Sequence, residues 1–461
     1  MNKYANRYDG RLLLRSEISL DEITFLQLRN EKKFQRLSAF IQKRYSSQLQ
    51  CRRCGNNKKH LLGIIPCQAC KQTHHYCRNC IEMGRVMTCE PLYIWTGPPA
   101  KWPSQADPCQ WSGELTHVQQ RAAERIVQAI QAKEKELLIW AVCGAGKTEM
   151  LFAGIAHAIQ AGKRVCLATP RADVVRELYP RFQQAFPNTT LVALHGGSGN
   201  NHDTAQLTIT TTHQLLRYQQ AFDIMIIDEI DAFPFHADQR LPFVTNRSVK
   251  KNATMLYLTA TPRKNLKKRS NKGELATIFV PVRYHGQPLP VPRLKMTAQL
   301  ARSLTRAKLP TIFWGWYHQR SNPNRQVLIF VPTIAQANHL TEPLQKNLPQ
   351  QTVTSVHAND PDRTEKVQQF RNKQIDTLLT TTILERGVTF PSVDVAVIDA
   401  GHDVFDEAAL VQIAGRAGRS PNDPTGEVIF FHQGKTEAML AAIRVIKQMN
   451  KKACVINREK S

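Results

Sequence analysis

From Leu115 onward, short apolar runs alternate with stretches whose apolar residues recur at helical spacing. The runs are LLIWAV, RVCLAT, DIMIID, MLYLTAT, QVLIFV, DTLLTT and VAVIDA. Runs of this length read as buried strands, and the stretches between them read as amphipathic helices. Strand–helix alternation predicts a mostly parallel sheet covered on both faces. Two such sets are visible, separated by the proline-rich break Tyr284 to Leu294 (YHGQPLPVPRL). The first fifty residues differ in texture. There Ile23, Leu26, Leu28, Phe34, Leu37, Phe40 and Ile41 recur at roughly helical spacing, which predicts a small, partly helical segment. The segment Thr96 to Pro108 holds four prolines and reads as a linker. The expected division is residues 1–50, a cysteine region with its linker over 51–110, and two α/β domains over 111–283 and 284–461.

Composition changes the picture through charge. Lys and Arg outnumber Asp and Glu by 62 to 37, a net charge of +25. Between Arg240 and Lys272 there are ten basic residues and no acidic one. A solvated basic face is the plain alternative, but so one-sided a run favours a polyanion, because each neutralised phosphate releases counterions. The run lacks the apolar stripe of a membrane-surface helix, so nucleic acid is the expected partner. No stretch approaches the roughly 18 consecutive apolar residues of a membrane span, and the N-terminus has no secretory pattern. A cytosolic protein is expected, in which eleven cysteines are metal ligands sooner than disulfides.

The chemistry is most specific at Ala141 to Thr148, AVCGAGKT, which lies between an apolar run and a helical pattern as a phosphate-binding loop must. Gly144 and Gly146 let backbone N–H groups close on phosphate oxygens, with Val142, Cys143 and Ala145 completing the loop. Lys147 would place its charge on the β- and γ-phosphates, and the Thr148 hydroxyl would hold Mg2+. Eighty residues on, IIDEID supplies Asp228 as a second Mg2+ ligand and Glu229 to orient and deprotonate the attacking water.

Asp-Glu-Ile-Asp after a phosphate loop resembles motif II of the superfamily 2 helicases, and the other motifs follow in that family's order. LTHVQQRA resembles the adenine-reading segment, with Gln119 as its glutamine. TPRADVVREL, the LHGG around His195, and TTTHQLL resemble the DNA-contacting motifs of a first domain. TAT (Thr259 to Thr261) resembles the motif that couples hydrolysis to domain movement. IFVPT, TTTILERGVTFP and QIAGRAGR resemble those of a second domain. The resemblance implies an α/β fold of two RecA-like domains, and ATP as the substrate of a DNA motor. Gln412, Arg416 and Arg419 would reach the γ-phosphate; a guanidinium meets phosphate with a planar fork and keeps its proton.

The cysteine region reads CRRC (Cys51, Cys54), CQAC (Cys67, Cys70) and HYCRNC (Cys77, Cys80), followed by Cys89. Three C-x-x-C pairs so close together point to Zn2+. Six cysteines exceed one tetrahedral site and fall short of two, unless Cys89, His74 or His75 joins. A cysteine module ahead of this helicase core, with YCRNCIEMGRV and PLYIW, resembles the ComFA family of late-competence helicases. That resemblance implies a four-cysteine site of Cys51, Cys54, Cys77 and Cys80. It leaves Cys67 and Cys70 open as a second, weaker site or as additional ligands. It implies single-stranded DNA as the polymer and uptake of transforming DNA as the role. The implied partners are the channel protein ComEC and the phosphoribosyltransferase-like ComFC, with attachment to the inner face of the membrane only through them. The competing readings are a replication-restart or repair helicase similar to PriA, and a zinc-dependent DNA-binding scaffold without motor activity.

Overall fold

The structure is a computed structural model that describes residues 2–42, 48–197 and 204–458. It divides into two compact units, one of Met1–Leu115, Gln120–Ile139 and Thr148–Ile278, the other of Thr116–Gln119, Trp140–Lys147 and Phe279–Ser461.

All seven apolar runs form strands. The first sheet has seven, in the order Leu191–Leu194, Leu207–Thr211, Val165–Thr169, Phe222–Ile227, Val249–Thr259, Glu136–Ala141 and Ala276–Val280. The pairs from Leu191–Leu194 through Val249–Thr259 are parallel. The second sheet has six, ordered Arg293–Met296, Val428–His432, Val393–Ile398, Gln326–Phe330, Thr377–Thr380 and Val353–Val356, all parallel. Every residue of Val165–Thr169, Gln326–Phe330, Thr377–Thr380 and Val393–Ile398 is buried, as strands covered on both faces must be. The proline-rich break runs directly into an edge strand, Arg293–Met296, whose residues are half or fully exposed. That position tolerates the unpaired backbone its neighbouring prolines impose.

The helical spacing read in the N-terminal segment holds only to Asn30. The helix Glu22–Asn30 starts at Asp21, whose carboxylate accepts from Thr24 N, and it buries Phe25 and Leu28 while Ile23 stays exposed. From Phe34 the chain is extended, because Phe34–Leu37 pairs antiparallel with Leu92–Trp95, which also pairs with Leu12–Leu13. A strand more than fifty residues away thus overrides the local period. Tyr8, Phe25, Phe34, Tyr93 and Trp95 close this sheet with an edge-to-face aromatic cluster. Between its strands lie two hairpins, Phe40–Gln42 with Leu49–Cys51, and Leu62–Pro66 with Thr73–Cys77.

The cysteine region is no tethered appendage. Cys51, Cys54, Cys77, Cys80, Leu12 and Leu14 share one continuous core with Leu215, Leu216, Tyr218, Phe222, Leu241 and Val244 of the first α/β domain. The linker is pinned too: the Arg164 guanidinium lies over the Trp102 ring, 4.9 Å from its centroid, and Gln206 donates to Pro103 O at 2.9 Å. Among the described residues no helix is long and apolar enough to cross a membrane.

Candidate nucleotide site and cysteine centre

The phosphate loop leaves the buried strand Glu136–Ala141 and enters the helix Lys147–Gln160, so Lys147 and Thr148 open its first turn. Gly144 and Gly146 sit at φ of +79° and +69°. A Cβ would be strained at both, which is why the loop needs glycine there and accepts Ala145 between them. The loop's backbone N–H groups and the positive end of the helix form a cradle for anionic oxygen. Gln119, buried at the start of His117–Gln131, donates through Nε2 to Ala145 O at 2.9 Å and accepts from Thr116 N at 2.8 Å. Its side chain therefore ties the preceding segment to the loop.

Asp228 and Glu229 emerge where Phe222–Ile227 ends on the same sheet. Glu229 adopts φ +53°, and its N–H donates to Asp228 Oδ1 at 2.9 Å. Strain of this kind in a carboxylate-bearing turn persists only where the surroundings hold it. Sequence reasoning passed over Asp231, the fourth letter of DEID. It is fully buried, and both carboxylate oxygens are engaged: one accepts from the Thr259 hydroxyl, the other from the Thr261 hydroxyl at 2.5 Å. Arg263 donates to the Asp231 carbonyl at 3.2 Å. The acidic strand end and the TAT segment are thus one hydrogen-bonded unit. The signal was present in the sequence, as a third acid two residues past the pair, but its partner lies thirty residues downstream.

Of the segments read as DNA-contacting, Thr169 ends its strand, and Thr210 and Thr211 end theirs before the turn Thr212–Arg217. His195 lies just past Leu191–Leu194. Residues 198–203 fall outside those described.

In the second unit, Gln412 and the phosphate loop are brought together: Cys143 Sγ donates to Gln412 Oε1 at 3.0 Å. Gly415 packs so closely on Cys143 that a Cβ would approach the Cys143 Cβ within 2.4 Å. Arg416, past the end of the helix Glu407–Ala414, is buried and donates to the carbonyls of Glu385 (3.0 Å) and Val388. Arg419 donates to Gly415 O at 2.9 Å. Arg283, which the sequence did not single out, donates to the carbonyls of Ala417 (2.7 Å) and Gly418, and burial followed by the nearby Arg419 charge lowers its guanidinium to about 10.

In the cysteine region, Cys51, Cys54, Cys77 and Cys80 are buried with all four sulfurs within 4.8 Å of one another. Cys51 and Cys80 are 3.8 Å apart, Cys54 and Cys77 3.4 Å. A tetrahedral ion with Zn–S of about 2.3 Å requires sulfur separations of about 3.8 Å, so the four fit Zn2+. Hydrogen bonds from Cys51 and Cys54 pull the Cys77 thiol down.

Four arginines pack around the cysteine region. Arg53 is fully buried against Glu17 at 2.6 Å, and Arg217 reaches the same carboxylate at 2.7 Å. Burial alone would raise Glu17, but Arg53, Arg217 and the Leu14 N–H together hold it below the usual carboxylate value. Arg247 donates to the carbonyls of Arg52, Arg53, Leu215, Leu216 and Tyr218, and burial lowers it to about 10. Arg240 donates to Asn79 O at 2.7 Å and pairs with Asp238. The basic run Arg240 to Lys272 is therefore not one solvent-facing field. Arg240 and Arg247 grip the cysteine region, Lys250 pairs with Asp223, and Arg269 pairs with Glu136.

Residues 1–94 match the family model described as Competence protein ComFA N-terminal domain, 112–264 that of Type III restriction enzyme, res subunit, and 306–421 that of Helicase conserved C-terminal domain. The chain is 45% identical to Competence protein ComFA of Bacillus subtilis, covering 97% of this chain and 95% of that protein. It is 40% identical to Competence protein ComFA of Streptococcus pneumoniae, over 85% and 91%. In fold it is similar to S. cerevisiae Dbp5 bound to RNA and ADP BeF3, with TM-score 0.55 at 18% identity, covering 73% of this chain and 88% of that one.

Proposed function

Because the chain belongs to the ComFA family of competence proteins, we propose that it is an ATP-driven translocase on single-stranded DNA that draws transforming DNA into the cell. The observation that carries the motor reading is the Asp231 linkage. A carboxylate beside the proposed hydrolytic pair holds both threonines of the TAT segment, so a shift at the nucleotide is felt directly in the strand Val249–Thr259.

In this reading the loop N–H groups and Lys147 bind the β- and γ-phosphates, and Glu229 orients the attacking water and takes its proton. Mg2+, held by Thr148 and Asp228, would neutralise charge on the phosphates. Gln412, already at the loop, senses the γ-phosphate. Arg416 and Arg419 stabilise charge as the bond to it breaks. Zn2+ on Cys51, Cys54, Cys77 and Cys80 would be structural, since all four positions are protein thiolates and none is open to substrate. Arg53, Arg240 and Arg247 balance the excess negative charge of that centre. The channel protein ComEC and the phosphoribosyltransferase-like ComFC are the partners through which the motor would attach.

The test is ATP hydrolysis with no nucleic acid, single-stranded DNA, duplex DNA and RNA in parallel. Stimulation by single-stranded DNA is expected, with Lys147→Ala and Glu229→Gln losing it while still binding DNA. Arg416→Ala and Arg419→Ala should bind ATP yet turn over about 10³-fold more slowly. Stimulation by RNA alone, or wild-type turnover in the Lys147 variant, would refute the assignment.

A further inference from the structure

The hairpin Leu62–Pro66/Thr73–Cys77 has one end in the four-cysteine centre, through Cys77, and its other end in solvent. None of residues 64–76 is buried. A two-stranded hairpin without a core is marginal in water, yet this tip is closed by a defined turn. Its geometry repeats that of the first C-x-x-C. At the first turn Cys51 N donates to Asn56 O and Gly55 N to Cys51 O, both at 2.8 Å. At the tip Cys67 N donates to Gln72 O at 2.8 Å and Lys71 N to Cys67 O at 2.9 Å. The residue after the second cysteine is left-handed in both, Gly55 at φ +75° and Lys71 at +60°. Glycine takes that conformation freely; a lysine holds it against about 1 kcal/mol or more. Something other than packing stabilises the tip.

Cysteine and histidine side chains gather there. The sulfurs of Cys67, Cys70 and Cys89 lie within 4.8 Å of one another. His74 places Nε2 at 3.0 Å from Cys70 Sγ, and its Nδ1 is 3.1 Å from Thr88 Oγ1. A partner on one ring nitrogen holds the ring and aims the other, the usual support of a ligating histidine. We propose that Cys67, Cys70, His74 and Cys89 form a second zinc site, which folds the hairpin tip. Three thiolates and one imidazole are a donor set that suits Zn2+ once His74, already beside Cys70, closes on the other two cysteines, and metal binding would supply the folding energy the missing core cannot. One ion cannot serve both centres. His74 and Cys77 are three residues apart on one strand, about 10 Å at the rise of extended chain. The inference is independent of the motor and of the first centre, because its ligands belong to neither.

Exposure makes this site the labile one. Native mass spectrometry of the full chain under reducing conditions should show two zinc ions, with a chelator removing one before the other. Cys70→Ser and His74→Asn should each hold one ion and lose the fast phase, and protease should cut them between residues 64 and 76. His74→Cys, which restores a fourth ligand, should hold two. If Cys70→Ser fails to fold, the contrast between His74→Asn and His74→Cys decides alone. One ion in wild type, lost on Cys77→Ala but kept on His74→Asn, would overturn the second site and leave the first standing. Two ions in both His74→Asn and Cys70→Ser would overturn it as well.

Discussion

Asp231 and Glu17 are both buried carboxylates held by several partners, and they work at different places. Replacing Asp231 with Ala strands the Thr259 and Thr261 hydroxyls without an acceptor, each costing about 1–3 kcal/mol of desolvation. The variant should melt earlier, and DNA-stimulated hydrolysis should fall more than basal hydrolysis. Equal loss of both rates would put Asp231 in the chemistry instead of the coupling. Glu17 is held below its ordinary pKa of 4.5 by Arg53 and Arg217 in spite of burial. A depressed carboxylate stabilises the fold above its unfolded pKa and loses that contribution as pH falls through the folded value. Acid should therefore loosen the N-terminal region before the α/β domains. Glu17→Gln should cost about 3–5 kcal/mol at neutral pH, by leaving the Arg53 charge buried, and should flatten the acid dependence. Denaturant midpoints of both proteins across the carboxylate range would show it; parallel curves would sink the idea.

At the scale of elements, the helix Arg240–Ser248 joins the cysteine region to the first sheet. It contributes Leu241 and Val244 to the shared core, and Arg247 reaches five backbone carbonyls. Only a planar guanidinium can serve so many acceptors from one position, so Arg247→Lys is not conservative here. The variant should bind as much zinc as the wild type but show faster amide exchange on both sides of the joint, at Arg52–Arg53 and Leu215–Tyr218. Unchanged exchange at both would show that apolar contact alone holds the joint. The strand Leu207–Thr211 makes a related point. With three threonines among five residues it does not read as an apolar run, yet all five are buried between two parallel neighbours. Thr210 stays satisfied by donating to the Leu194 carbonyl at 3.2 Å.

For the whole molecule the net charge of +25 sets long-range attraction to a polyanion, and the fold decides where it acts. Arg240, Arg247, Lys250 and Arg269 are engaged by acids or carbonyls, and the helix Lys264–Asn271 is the part of the basic run we propose as the DNA-facing element. It buries no residue and follows the TAT segment closely. Affinity for single-stranded DNA should fall with salt at about −0.7 in the log–log slope per phosphate neutralised. Replacing Lys264, Lys267 and Lys268 with Gln should flatten that slope and weaken all sequences alike, since phosphate contacts carry no base identity. An unchanged slope would move the DNA path elsewhere.

The sequence by itself determined the strands that are continuous apolar runs, the parallel class of both sheets, the phosphate loop with its glycines, and the order of the motifs. These depend on local chemistry: burial on both faces favours continuous apolar residues, and the left-handed positions of the phosphate loop favour glycine. The tertiary structure alone decided what depends on distant partners. Phe34–Leu37 became a strand because Leu92–Trp95 offered it hydrogen bonds, against its own helical period. Three C-x-x-C pairs look alike along the chain, yet hairpin pairing sends Cys51, Cys54, Cys77 and Cys80 into one buried cluster and Cys67 and Cys70 to another with Cys89. Asp231 met its threonines, and the basic run was divided between structure and solvent, only once strands adjacent in space brought segments far apart in the chain together.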